Sequence, residues 1–166
     1  MRKALKWGGI IVLVIFLGIQ LVQPERNNPP VDQAKTIEAY VNVPPEVKSI
    51  LERSCYDCHT HYTKWPWYSY VAPASWLVAR DVKNGRSALN LTTWGDYSKR
   101  KRIAKLDQIC DELTEDAMPI KPYRIMHPDA ALSKAEVDLI CSWVDDERDR
   151  LMQADTAPSP AREKEN

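Results

Sequence analysis

Apolar residues recur with the spacing of an amphipathic helix in four stretches of this chain, and no stretch alternates convincingly as a strand would. The first stretch begins near Pro45, a residue that suits the first turn of a helix. It places Val47, Ile50, Leu51 and Cys55 on one face. This pattern predicts an all-α fold whose first domain helix runs through residue 59.

Three further helices are predicted after it. The second runs from about residue 72 to Gly85, which we expect to follow its C-terminal end. The third covers about 98–115. The last begins after Ser133, which forms a capping box with Glu136. We expect a short turn near 90–94 and a loop over 116–131.

The N-terminus has the pattern of an export signal. Arg2, Lys3 and Lys6 precede residues 7–22, which are uncharged and mostly apolar. No small-residue cleavage pattern follows, which favours an uncleaved transmembrane anchor over 1–23; a cleaved signal peptide is the alternative. Sixteen apolar residues span about 24 Å, a marginal length for a hydrocarbon core of about 30 Å.

Either form of this signal exports the rest of the chain. The basic N-terminus predicts a single-pass protein of the bacterial inner membrane, with its domain in the periplasm or outside the cell. We divide the remainder into a Pro-rich tether over 24–45, one domain over 46–152 and a disordered tail over 153–166. The formal net charge is zero, which argues against a nucleic-acid partner.

The candidate chemistry lies in Cys55-Tyr56-Asp57-Cys58-His59, which reads C-x-x-C-H. This motif is typical of covalent haem attachment, in which each thiol adds to one vinyl group. On a helix the two cysteines and His59 point toward one side. We therefore expect one haem c bound to Cys55 and Cys58, with His59 as an axial ligand of the iron. A thiol redox pair or half a zinc site is less favoured, because neither the βαβ context nor a second ligand pair is present.

Met118 is the best candidate for the second axial ligand. It lies in a loop before the last helix, and Pro119 keeps it out of helical conformation. A thioether ligand raises the reduction potential of haem iron. His127, Met126 and an open sixth site are the alternatives, whereas His61 is too close to His59 to reach the opposite face.

Several separated blocks resemble known haem proteins. The helix-borne C-x-x-C-H with a later Met-Pro resembles class I cytochrome c, and the chain is more similar to the bacterial haem-binding domain family. The blocks that carry this resemblance are SCYDCH at 54–59, KWPWYS at 64–69, APASW at 72–76, LNLTTW at 89–94, MPIKPY at 118–123 and ICSW at 140–143. The resemblance implies a small, all-α, c-type cytochrome-like domain with covalent haem, and leaves the reaction open.

Cys110 and Cys141 form a second cysteine pair, outside the haem motif. Both fall on the buried stripes of their helices, and in an exported protein such a pair is typical of a structural disulfide. Two buried thiols are the alternative.

Two classes of function fit these residues. The first is a membrane-tethered carrier of single electrons with His/Met-ligated iron, serving a redox partner that the sequence does not name. The second is a haem-based sensor or a peroxidase-like enzyme with an open or labile sixth site, for which His127 or Arg124 would supply the distal polar group. The Met118-Pro119 pair favours the electron carrier over the enzyme.

Overall fold

The computed structural model describes residues 2–153. These residues form seven α-helices and five short 3₁₀ turns and contain no strand, which confirms the all-α prediction. The helices are α1 (Arg2–Ile19), α2 (Pro45–Ser54), α3 (Tyr56–His59), α4 (Ala74–Ala88), α5 (Lys99–Thr114), α6 (Lys121–Met126) and α7 (Lys134–Gln153).

The core lies where α2, α5 and α7 meet. Its apolar side chains include Leu51 of α2, Leu106 of α5, Ile140 and Val144 of α7, and Trp94 from a 3₁₀ turn. All of them are buried because the apolar stripes of the helices face one another.

Part of the predicted tether also belongs to this core. Residues 33–39 form two 3₁₀ turns, and Ile37 and Val41 are buried. The Trp143 indole N–H donates to the Asn42 carbonyl over 2.8 Å, which fixes this segment on α7. The folded domain therefore extends N-terminal to residue 46.

A pair of cysteines brings α5 and α7 together. The Sγ atoms of Cys110 and Cys141 lie 1.97 Å apart, and the two residues are 31 positions apart in the chain. The cysteine pair predicted from the sequence thus stands at disulfide distance.

Two helix boundaries differ from the predicted ones. α2 ends at Ser54, and the backbone turns at Cys55 (φ −123°, ψ −37°), so that α3 is a separate single turn. α4 continues to Ala88, and Gly85 therefore lies inside that helix instead of following it. The loop over 116–131 also contains α6, whose six residues give too short an apolar pattern to be recognised.

The predicted start of the last helix is confirmed. The Ser133 hydroxyl accepts from the Glu136 N–H, and the Glu136 carboxylate accepts from the Ser133 N–H. These are the two reciprocal bonds of a capping box. Of the predicted tail over 153–166, Gln153 ends α7, and the rest lies outside the described residues.

The transmembrane helix expected over 1–23 is not found. α1 ends at Ile19 and includes Arg2, Lys3 and Lys6 in its first five residues. Within residues 2–153 no helix is both long enough and apolar enough to cross a membrane.

Candidate haem site

The C-x-x-C-H motif forms the single turn of α3. The N–H groups of Cys58 and His59 both donate to the Cys55 carbonyl, over 3.1 and 3.0 Å. α4 packs closely against this turn at Gly85, where an added Cβ would lie 2.6 Å from the Cys58 carbonyl oxygen. The absence of a side chain at Gly85 thus allows α4 to support the motif from behind.

The His59 ring has a fixed orientation. Its Nδ1 atom is 3.0 Å from the Leu89 carbonyl, which can accept the Nδ1 proton. Burial lowers the pKa of His59 below its usual value. A neutral imidazole held in this way keeps Nε2 free as a donor to iron, as metal-ligating histidines do.

Three cavities of about 210, 300 and 110 Å³ lie beside α3, and the second shares lining residues with each of the others. Cys58 lines the first and the second, whereas Cys55 and His59 line the second and the third. The walls are mostly apolar, with aliphatic side chains from α4 on one side and from residues 118–126 on the other. We call these three cavities together the haem cleft.

Met118 lies in the same cleft. It lines the second and third cavities together with Cys55 and His59, as its predicted role requires. Its N–H donates to the Glu112 carbonyl over 3.1 Å, which holds the segment against the end of α5. Two thiols, an imidazole nitrogen and a thioether around an apolar cleft are a donor set that suits a c-type haem.

None of the alternative ligands lines a cavity together with His59. His127 lines none of the three cavities, and its Nε2 is hydrogen-bonded to the Tyr68 hydroxyl over 2.7 Å. His61 is within 2.9 Å of the Asn90 side-chain nitrogen. Met126 lines the first cavity, away from His59.

The electrostatics of the two motif cysteines differ from those of a redox pair. Burial, together with the neighbouring Cys58 for the one and Asp57 for the other, raises the pKa of Cys55 to about 12 and that of Cys58 to about 11. A reactive redox thiol needs a lowered pKa. Among residues 2–153, no three His, Cys, Asp or Glu side chains are placed to hold a metal ion together.

Polar residues at the cleft entrance were not predicted. The Tyr123 hydroxyl donates to Asp57 Oδ2 over 2.8 Å, and the Tyr123 ring stacks on His127 with centroids 4.4 Å apart. Asp57 Oδ1 also accepts from the Lys64 N–H over 2.9 Å. Only the position of Asp57 between two motif cysteines hinted at such a role in the sequence.

Comparison with known proteins supports the haem interpretation. The model of a family described as "Haem-binding domain" matches residues 14–146, which include every residue of the cleft described above. No curated protein and no solved structure matches this chain. On the strength of the family match, the chain belongs to the haem-binding domain family.

Proposed function

We propose that this protein is a c-type cytochrome-like carrier of single electrons. In this proposal Cys55 and Cys58 would attach one haem c, and His59 Nε2 and Met118 Sδ would bind its iron. The observation that supports it most is that His59 and Met118 line one apolar cavity while His59 Nδ1 is already hydrogen-bonded.

The chain's own residues would serve such a carrier in three ways. When bound, a haem supplies one-electron iron chemistry, which the protein tunes. The Met118 thioether would favour the reduced state, the Leu89 carbonyl would hold the His59 ring, and the apolar walls would keep water away. Covalent attachment at Cys55 and Cys58 would prevent dissociation of the haem.

The sensor or enzyme alternative finds less support. It requires a polar group free to face the sixth site, and both candidates are engaged elsewhere. The Arg124 guanidinium binds the Asp116 carboxylate over 2.6 Å, and His127 is held by Tyr68 and Tyr123.

An absorption spectrum tests this proposal. We expect the full chain, produced with haem-attachment machinery, to show the weak far-red sulfur-to-iron band when oxidised. Met118→Ala should abolish that band and lower the reduction potential, whereas Met126→Ala should change neither. A high-spin spectrum that Met118→Ala leaves unchanged would contradict methionine ligation and favour the open-site alternative.

We also propose that the domain is exported and held at the cytoplasmic membrane. The apolar side chains of α1, such as Ile11, Leu13 and Phe16, are exposed, and a structural disulfide is typical of proteins outside the cytoplasm. In cell fractions the protein should remain with membranes after a high-salt wash and dissolve in detergent. Recovery in the soluble fraction would contradict membrane attachment.

A further inference from the structure

The ligand segment, residues 115–127, is tied to the opposite side of the haem cleft at its entrance. Tyr123 reaches across to Asp57 in the haem motif, and His127 reaches across to Tyr68 in the loop after it. The distances are 2.8 and 2.7 Å, and all four side chains are partly buried. Two separate hydrogen bonds therefore bridge the two walls.

The same contacts make the segment stiff. The Tyr123 ring lies on the His127 ring at an interplanar angle of 25°, so the two bridging groups support each other. Arg124 pairs with Asp116 through both carboxylate oxygens, which closes the segment on itself. On the other wall, Asp57 is fixed by the Lys64 N–H.

This arrangement has one consequence for Met118. The Glu112 carbonyl fixes the residue at its N-terminal side, and further along the segment the Tyr123 hydroxyl is hydrogen-bonded to the motif. A thioether is a weak ligand that leaves the iron when its loop moves away. Met118 packs against the core, and the part of the segment that follows it is held by the bridge.

We propose that Tyr68, Tyr123 and His127 are positioning residues that hold Met118 in the haem cleft. The inference rests on the proposed function, because it assumes that Met118 is the axial ligand. It predicts that loss of the bridge frees the sixth site without removing any donor of the iron.

Binding of added imidazole to the oxidised full chain tests this inference. Imidazole must displace Met118, so its apparent affinity rises with the fraction of molecules in which the segment is open. Tyr123→Phe removes the hydrogen bond to the Asp57 carboxylate, which stabilises the closed segment. Its loss should tighten the apparent binding of imidazole about tenfold. Tyr68→Phe should act in the same direction, and the double variant should exceed either one.

Tyr62→Phe is the matched control. The Tyr62 hydroxyl is hydrogen-bonded to Gln33 and lies outside the haem cleft. Its removal should leave imidazole binding and the sulfur-to-iron band unchanged. In the double variant Tyr68→Phe/Tyr123→Phe, we expect that band to disappear at a lower temperature than in the wild type, and well before the helices unfold.

Trypsin supplies a second measurement that needs no bound haem. Cleavage after Arg124 requires the segment to leave the cleft wall, so the double variant of the full chain should be cut faster there than the Tyr62→Phe control. Equal cutting rates together with wild-type imidazole affinity would overturn the inference.

The outcomes separate this inference from the proposed function. If Met118→Ala binds imidazole much more tightly than the wild type while the bridge variants do not, only the positioning role is wrong. If Met118→Ala and the wild type bind imidazole equally, Met118 is not the ligand. His/Met ligation and the positioning role of Tyr68, Tyr123 and His127 are then both wrong.

Discussion

Single residues decide how the haem motif is held. The Leu89 backbone carbonyl orients the His59 ring. The motif turn packs on α4 at Gly85, the glycine of that helix. Both contacts are between residues about 30 positions apart, and neither involves a side-chain pair that the sequence would reveal. The candidate ligands could be proposed from the sequence because C-x-x-C-H has a fixed spacing, whereas the contacts that support them depend on tertiary packing.

Gly85→Ala should destabilise the protein. Alanine favours a helix over glycine by about 1 kcal/mol, but the added Cβ would meet the Cys58 backbone, which cannot move cheaply. We expect a net loss of about 1–3 kcal/mol in the free energy of unfolding, with a lower yield of attached haem. Urea unfolding of the full chain in detergent, followed by circular dichroism, measures this.

Gly18→Ala is the control for that experiment. Apart from the backbone of its own helix and its chain neighbours, no atom lies within 4 Å of the position of its added Cβ, so this variant should be at least as stable as the wild type. If the Gly85→Ala protein were as stable as the Gly18→Ala protein, α4 could move away from the α3 turn without loss of stability, and the prediction would be wrong.

Helices and their ends were predicted unevenly. The start of α7 was recognisable because the Ser133–Glu136 pair is a local signal. α6 was missed because its six residues make their decisive contacts, such as that of Tyr123 with Asp57, far along the chain. The break at Cys55 was missed for a different reason, because the apolar stripe of α2 continues across it.

The cap of α7 makes stability depend on acid pH. Hydrogen bonds from the Ser133 N–H and from Arg53 lower the pKa of Glu136 from 4.5 to about 2. The carboxylate therefore stabilises the fold above pH 4.5, and this contribution is lost as the pH falls toward 2. Glu136→Gln should cost about 1 kcal/mol at pH 7 and progressively less below pH 4.5.

Urea unfolding at a series of pH values measures the Glu136 effect. Asp138→Asn, on the same helix, removes only an exposed ion pair with Lys134 and should change stability by less. A difference between wild type and Glu136→Gln that stays constant down to about pH 2 would contradict the role of the carboxylate.

The cysteine pair between α5 and α7, Cys110 and Cys141, gives the second prediction at the scale of the helices. A bridge that closes a loop of this length contributes about 3–4 kcal/mol to the free energy of unfolding. Cys110→Ala/Cys141→Ala should lose this amount, and reductant should destabilise the wild type but not the variant. Wild-type stability that reductant leaves unchanged would show that the two thiols are not joined.

At the scale of the whole molecule, the sequence predicted an all-α haem-binding protein, and the helical structure of residues 2–153 and the family match agree with that prediction. It did not predict that Ile37 and Val41 would complete the core, because that segment has no helical period. It also predicted a spanning helix that the described residues do not contain, because the apolar run was counted without the basic residues of the same helix. The helices could therefore be predicted from the spacing of apolar residues. The hydrogen bonds across the haem cleft, from Tyr123 to Asp57 and between Tyr68 and His127, could not.

The covalent attachment of haem is the central claim, and the mass of the purified protein tests it most directly. The full chain should be produced with haem-attachment machinery and measured under denaturing conditions. We expect one added haem, carried by the peptide that contains Cys55 and Cys58, and none in Cys55→Ala/Cys58→Ala. Wild-type protein that carries no covalent haem under these conditions would contradict the account.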